Sequence, residues 1–201
     1  MRVGIFGGTF DPPHIGHVST LKCFIDSFSF DKTFVIPVCL PPHKVVHTNT
    51  TANDRIEMSR LAFEKLGNNV VISDLEIKRE GKSYTADTIR YFVEGGYDDI
   101  YFLCGTDMIL TLDRWYNPSY IFANATIVYA RREMDEETTK KIEEKTMEYK
   151  EKFGAKVVEL NVSPIEISST TAREGLKRGK SEFLDAEVLE YIKTHKLYEC
   201  R

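Results

Sequence analysis

Short apolar runs that alternate with segments of helical period extend along this whole chain, and no other feature narrows its fold so far. The runs Val3 to Phe6, Thr33 to Val38, Val70 to Ser73, Ile100 to Cys104, Thr126 to Ala130 and Lys156 to Leu160 have the length of strands. Helical patterning is expected from Gly16 to about Phe28, Asn53 to Leu66, Thr85 to Glu94 and Asp135 to Phe153. A capped helix should open at Ser168-Ser169-Thr170-Thr171, and a last one should cover Ala186 to Thr194. Apolar strands separated by helices predict an α/β chain whose parallel sheet is covered on both faces.

With 201 residues the chain is read as a single domain, residues 1–201, with a helical C-terminal segment from about residue 168. Hydrophobic residues at 42% and charged residues at 29% exclude a disordered or membrane class. A net charge of -4 argues against a general nucleic-acid binder, so any anionic ligand needs locally gathered cations. The N-terminus enters a strand directly, with no leader-like segment and no run of transmembrane length. Cys23, Cys39, Cys104 and Cys200 form no CxxC pair, which reads as thiols of a reducing cytoplasm.

The chemistry concentrates in Gly4-Ile5-Phe6-Gly7-Gly8-Thr9-Phe10-Asp11-Pro12-Pro13-His14-Ile15-Gly16-His17. Glycines let a backbone approach an anion closely, and the first amides of the following helix are donors backed by a positive dipole end. His14 and His17 share one helical face. The spacing differs from the dinucleotide GxGxxG fingerprint, which disfavours a redox enzyme. A metal reading of the two histidines lacks a third ligand, so phosphate hydrogen bonding is preferred. Leu40 to Ala52, with Pro41, Pro42, His43, Lys44 and His47, reads as a long functional loop. In the charged segment 135–153, Ile142, Tyr149 and Phe153 leave only a narrow apolar stripe, so it is taken as a solvated face without chemistry.

The stretch GGTFDPPHIGH resembles the nucleotidylyltransferase superfamily, and most closely its bacterial nicotinate mononucleotide adenylyltransferases. Further resembling segments follow in that family's order: Pro41-Pro42-His43-Lys44, Asp54-Arg55-Ile56-Glu57-Met58, and Asp74-Leu75-Glu76 leading through Arg79 and Gly81 to Ser83-Tyr84-Thr85. Gly105-Thr106-Asp107, Trp115, Ile167 to Arg173 and the ending Tyr191-Ile192 with Leu197-Tyr198 complete them. The resemblance implies a Rossmann-like doubly wound parallel sheet. It also implies transfer of AMP from ATP to nicotinate mononucleotide, giving deamido-NAD and pyrophosphate in NAD biosynthesis.

By the same resemblance His14 and His17 contact the ATP phosphates, Lys44 reaches in from its loop, and Arg173 grips the β and γ phosphates from the opposite side. Phe6, Gly7, Gly8, Thr9, Gly105, Asp107, Ser168, Ser169 and Thr170 are expected to bind ATP. For the acceptor, the helix start at Ser83, Tyr84 and Thr85 offers amides to a carboxylate, and Trp115 would stack on the pyridine ring. Core packing of Trp115, capping by Thr85, a solvent-exposed Lys44 and an Arg173 paired with Glu166 or Glu174 are the plain alternatives. Magnesium is the implied cofactor, carried in with ATP and not held by protein ligands. The implied partners are these small molecules, with no nucleic acid and no membrane, and homo-oligomerisation stays open.

Arg131 stands where the family has an arginine, but Arg132 and Glu133 follow in place of a proline and a glycine, and its role is left open. Ala172 and Asp185 also depart from the family pattern. A phosphopantetheine or nicotinamide mononucleotide acceptor, or a nucleotide sensor without turnover, are the competing readings. His14-Ile15-Gly16-His17 also matches class I aminoacyl-tRNA synthetases, yet this chain is short and lacks a KMSKS segment.

Overall fold

A computed structural model describes residues 1–40, 48–131, 135–163, 165 and 167–198. Among them the strands are β1 (Arg2–Gly8), β2 (Lys32–Pro37), β3 (Val70–Ile72), β4 (Asp99–Gly105), β5 (Ala125–Ala130) and β6 (Val157–Leu160). The helices are α1 (Ile15–Phe28), α2 (Ala52–Phe63), α3 (Leu75–Arg79), α4 (Thr85–Glu94) and α5 (Thr106–Ile109). They continue with α6 (Pro118–Asn124), α7 (Glu136–Phe153), α8 (Ser169–Lys177) and α9 (Ala186–Thr194). The expected helix over Asn53 to Leu66 thus ends as α2 at Phe63 and tightens into a 3-10 turn at Glu64–Leu66.

The strands form one six-stranded sheet in the order β3-β2-β1-β4-β5-β6, and every pairing is parallel. This is the doubly wound Rossmann-like arrangement. All strands run the same way, but the order in which they are added reverses between β1 and β4, which opens a crevice at their carboxyl ends.

Side chains alternate along each strand and so build two cores. Phe6, Val35, Leu103 and Val128 face one side, where they meet Leu21 and Phe24 of α1, Met58 and Phe63 of α2, and Val188 and Ile192 of α9. Ile5, Ile36, Phe102 and Ile127 face the other, against Ile89 and Phe92 of α4, Phe122 of α6, and Ile142 and Tyr149 of α7. Each such fully buried side chain contributes about 1.5–3 kcal/mol of transfer free energy. In α7 the sequence stripe is the buried one, with Ile142 and Tyr149 inaccessible to solvent.

Gly4 differs from the sequence expectation. It lies in β1 facing α1, and a Cβ there would stand 2.7 Å from Phe24 Cε1 and 2.9 Å from Phe30 Cε2. Close packing of helix on sheet therefore requires this glycine, whereas anion approach does not. Gly4→Ala is expected to destabilise the fold by roughly 1–3 kcal/mol through overpacking. Urea unfolding measures it, and an unchanged midpoint would mean that both rings yield.

The C-terminal helices return to the start of the chain. Ile15 N donates to Phe183 O at 2.9 Å, and Tyr191 Oη donates to Asp54 Oδ1 at 2.9 Å, joining α9 to α2. Asp185, a departure from the family pattern, accepts from Glu187 N as the cap of α9 and pairs with Lys65 at 2.5 Å. Ala172, the other departure, is buried in the core beside α9. None of the helices among the described residues is long and apolar enough to cross a membrane.

Candidate active site

The crevice at the ends of β1 and β4 is a cavity of about 400 Å³. Six parts of the chain wall it: the glycine turn with α1, the end of β2 at Ile36 and Val38, Glu76 of α3, the start of α4, the end of β4 with the Trp115 segment, and the start of α8. Phe6, Gly7, Gly8, Thr9, His14, His17, Ser83, Tyr84, Thr85, Gly105, Asp107, Trp115, Ser168, Ser169 and Arg173 all line it. A Cβ on Gly7 would meet nothing within 4 Å, so this backbone borders open space where a ligand can lie against it. Lys44, with the rest of 41–47, lies outside the described residues.

The two histidines are held as a pair. Their rings stack with centroids 3.7 Å apart, and Phe10 meets His17 edge-on at 5.2 Å. His14 is the N-cap of α1, and its backbone N donates to His17 Nδ1 at 3.3 Å. An Nδ1 that accepts leaves the proton of the neutral ring on Nε2, so His17 presents a hydrogen-bond donor from that nitrogen.

Arg173, on the second turn of α8, crosses to the opposite end of the sequence. Its Nη1 donates to Asp11 O at 2.5 Å and its Nη2 to Thr170 Oγ1 at 3.1 Å. Ser169 Oγ donates to Pro12 O at 2.9 Å, which docks the start of α8 on the β1–α1 turn. Ser168 caps α8 by accepting from Thr171 N at 3.1 Å, the capping expected from sequence. Thr170, expected on ATP, is not among the lining residues and serves as the second support of Arg173. Arg173 accordingly pairs with neither Glu174 nor another acid within ion-pair distance among the described residues.

At the far end, Tyr84 caps α4 without a side-chain bond, so the Thr85 hydroxyl is not spent as a cap. Ser83 is buried, its N donating to Leu40 O at 3.0 Å and its Oγ accepting from Cys39 N at 2.9 Å. That hydroxyl ties α4 to the end of β2. Trp115 is half-buried, meets Phe102 edge-on at 6.5 Å and still lines the cavity.

Several lining groups carried no assigned role in the sequence reading. Glu76 is buried, accepts from Thr88 Oγ1 at 2.6 Å, and burial pushes its carboxyl above the usual range against Ser83, Thr88 and Arg79. Tyr116 is exposed at the mouth with its ring 4.9 Å from that of Tyr84. Burial pushes the Cys104 thiol up to about 12, so it stays protonated at neutral pH. Arg55, part of the Asp54 to Met58 segment, does not line the cavity; it is buried behind it and donates to Thr9 O at 3.0 Å, Val38 O at 2.6 Å and Cys39 O at 3.4 Å. Burial draws its guanidinium below the usual value, opposed by the nearby Asp11 charge. A buried arginine inside a charged, helical run carries no sequence signal of its own, and neither does a buried glutamate.

Beside the main cavity lies a smaller one of about 40 Å³, sharing Phe6, His14, His17, Cys104 and Gly105 with it. Arg131 borders this space while its guanidinium is held by Glu159, with Nη2 3.0 Å from Oε2, and by Thr139 Oγ1 at 2.9 Å. It is an anchored residue at the pocket edge.

The cytidylyltransferase-like family model matches residues 5–175. A curated relative from Listeria monocytogenes, named "Probable nicotinate-nucleotide adenylyltransferase", is 33% identical over 198 residues, covering 98% of this chain and 97% of the relative. One of the same name from Caldicellulosiruptor saccharolyticus is 35% identical, covering 99% of this chain and 100% of the relative. Among solved structures, Plasmodium falciparum nicotinic acid mononucleotide adenylyltransferase complexed with NaAD superposes with a TM-score of 0.73 at 20% identity, covering 98% of this chain and 97% of that one. At that identity the likeness concerns the fold. By the matched family model and by relatives that align from end to end, this chain belongs to the cytidylyltransferase-like family, on its nicotinate-nucleotide adenylyltransferase branch.

Proposed function

We propose that this chain transfers AMP from ATP to nicotinate mononucleotide, releasing pyrophosphate and forming deamido-NAD. The observation that carries the reading is convergence. His14 and His17 from one end of the sequence and Arg173 from the other border a single cavity, whose opposite wall is a helix start beside an indole. An oxygen of the acceptor phosphate attacks the α-phosphorus of ATP in line. The bond from that phosphorus to the bridging oxygen breaks, and its electron pair leaves with pyrophosphate. The substrate is its own nucleophile, so the protein's task is to align two anions and neutralise the charge that moves.

Each part of the site suits one portion of that task. The Nε2–H of His17 and the remaining donors of Arg173 hold the phosphates, with the backbone amides at the start of α8 beside them. A cation about 4 Å from a phosphate contributes roughly 4 kcal/mol at an effective dielectric near 20, before desolvation is subtracted. Gly7, Gly8 and Thr9 bring backbone close to the nucleotide, and Gly105 and Asp107 lie where a sheet of this kind receives sugar or phosphate. Lys44 is assigned to the phosphates by family resemblance alone.

Magnesium fits as an ion delivered on the triphosphate. Asp107 and hydroxyl groups line the cavity, and no cluster of three or more His, Cys, Asp or Glu placed for a metal occurs among the described residues. When bound, the ion would neutralise charge on the leaving pyrophosphate. Free thiols at Cys23, Cys39 and Cys104 suit a cytoplasmic location.

The start of α4 selects the acceptor through the Tyr84 and Thr85 amides, the Ser83 amide being given to Leu40 O. Its amides and dipole favour the carboxylate of the acid over the neutral amide. With ATP and magnesium, pyrophosphate release should be about tenfold or more faster with nicotinate than with nicotinamide mononucleotide, the factor that ~1.4 kcal/mol of charge–dipole attraction supplies. Equal or reversed rates would overturn this use of α4.

A further inference from the structure

We propose that Tyr198 is a positioning residue for the phosphate end of the site, acting through Asp11 on Arg173. The inference rests on the reading that Arg173 binds ATP phosphates. Tyr198 does not line the cavity, so any effect on ATP must travel through other groups.

Asp11 is the junction. It is 1% exposed, and its carboxylate accepts from Tyr198 Oη at 2.6 Å, from Thr50 Oγ1 at 2.8 Å and from Thr48 Oγ1 at 2.8 Å. Its carbonyl accepts from Arg173 Nη1 at 2.5 Å. The side chain of Asp11 is thereby pinned to the C-terminal end of the chain, while its main chain sets where one arm of the Arg173 fork must sit. A guanidinium is planar and rigid, so fixing one nitrogen orients the donors left for phosphate.

Tyr198 is itself held to this duty. Its N donates to Asn49 Oδ1 at 3.0 Å, and Asn49 Nδ2 donates to Lys196 O at 3.2 Å. Its φ is 61° and that of Phe10, next to Asp11, is 47°, left-handed values that cost non-glycine residues free energy and persist where surrounding contacts over-determine them. Burial, reinforced by the Asp11 charge, raises the phenol pKa, so Tyr198 remains an O–H donor across the physiological range.

The test is ATP affinity by calorimetry in a double-mutant cycle, with thermal unfolding to confirm folded protein. Tyr198→Phe should weaken ATP about fivefold in the parent and leave nicotinate mononucleotide within about 1.5-fold. In an Arg173→Ala background the same substitution should change ATP affinity by less than about 1.5-fold, because the group it acts through is gone. Thr50→Val removes another hydroxyl from the same carboxylate and should repeat the pattern if Tyr198→Phe does not fold. If Arg173→Ala by itself leaves ATP affinity unchanged, the phosphate reading falls and this proposal with it. If Arg173→Ala weakens ATP but Tyr198→Phe costs the same in both backgrounds, costs nothing in either, or weakens both ligands alike, Tyr198 is structural only and this proposal alone is overturned.

Discussion

Replacing His17 by alanine is expected to lower turnover about a thousandfold while the fold persists, the loss typical when a preorganised donor to a developing oxyanion is removed. The imidazole is fixed before any ligand arrives, stacked on His14 at 3.7 Å and edged by Phe10 at 5.2 Å. Its Nδ1 accepts from His14 N, which leaves the proton of the neutral ring on Nε2. Truncation also removes the acceptor of the His14 amide at the start of α1, a stability cost of about 1 kcal/mol. Pyrophosphate release with saturating substrates, beside a thermal melt, separates the two effects. Turnover within about tenfold of the parent would remove His17 from the reacting phosphates.

Arg173→Ala should lower kcat/KM for ATP by about three orders of magnitude and leave the acceptor affinity within about twofold, the scale seen when a transition-state arginine is lost. The asymmetry follows from placement, because Arg173 enters on α8 against the β1–α1 turn while the acceptor wall is built from α4 and the Trp115 segment. Arg173→Lys should recover less than about tenfold, since an ammonium cannot serve the Asp11 carbonyl and a phosphate with one rigid fork. Steady-state kinetics with each substrate varied in turn decide the matter. Equal losses for both substrates would show that Arg173 braces the whole cavity.

The longer elements were legible because their signal is local. Strands of alternating contact and helices with a continuous apolar face leave a period in the sequence, and both β1 and α7 could be placed from it. The shorter helices left none: α3 has 5 residues, α5 has 4 and α6 has 7, less than two full turns each, so no stripe could repeat. At α6 only Pro118 at the first helical turn, following Asn117, was available as a start signal.

Residue types at the glycine turn and at Ser168 to Arg173 already stated a need for phosphate, because close backbone approach, imidazoles, helix starts and a guanidinium are local chemistry written in order along the chain. What binds those parts into one site is not local. Arg55 gripping Thr9, Val38 and Cys39, and Asp11 receiving Thr48, Thr50, Tyr198 and Arg173, are contacts between segments as far as 187 positions apart. Such partners have no period and no fixed spacing. Only the packing of α2, α8 and the C-terminal residues against the β1–α1 turn brings them within hydrogen-bond reach, and only there does burial make an unpaired carboxylate or guanidinium too costly to leave alone.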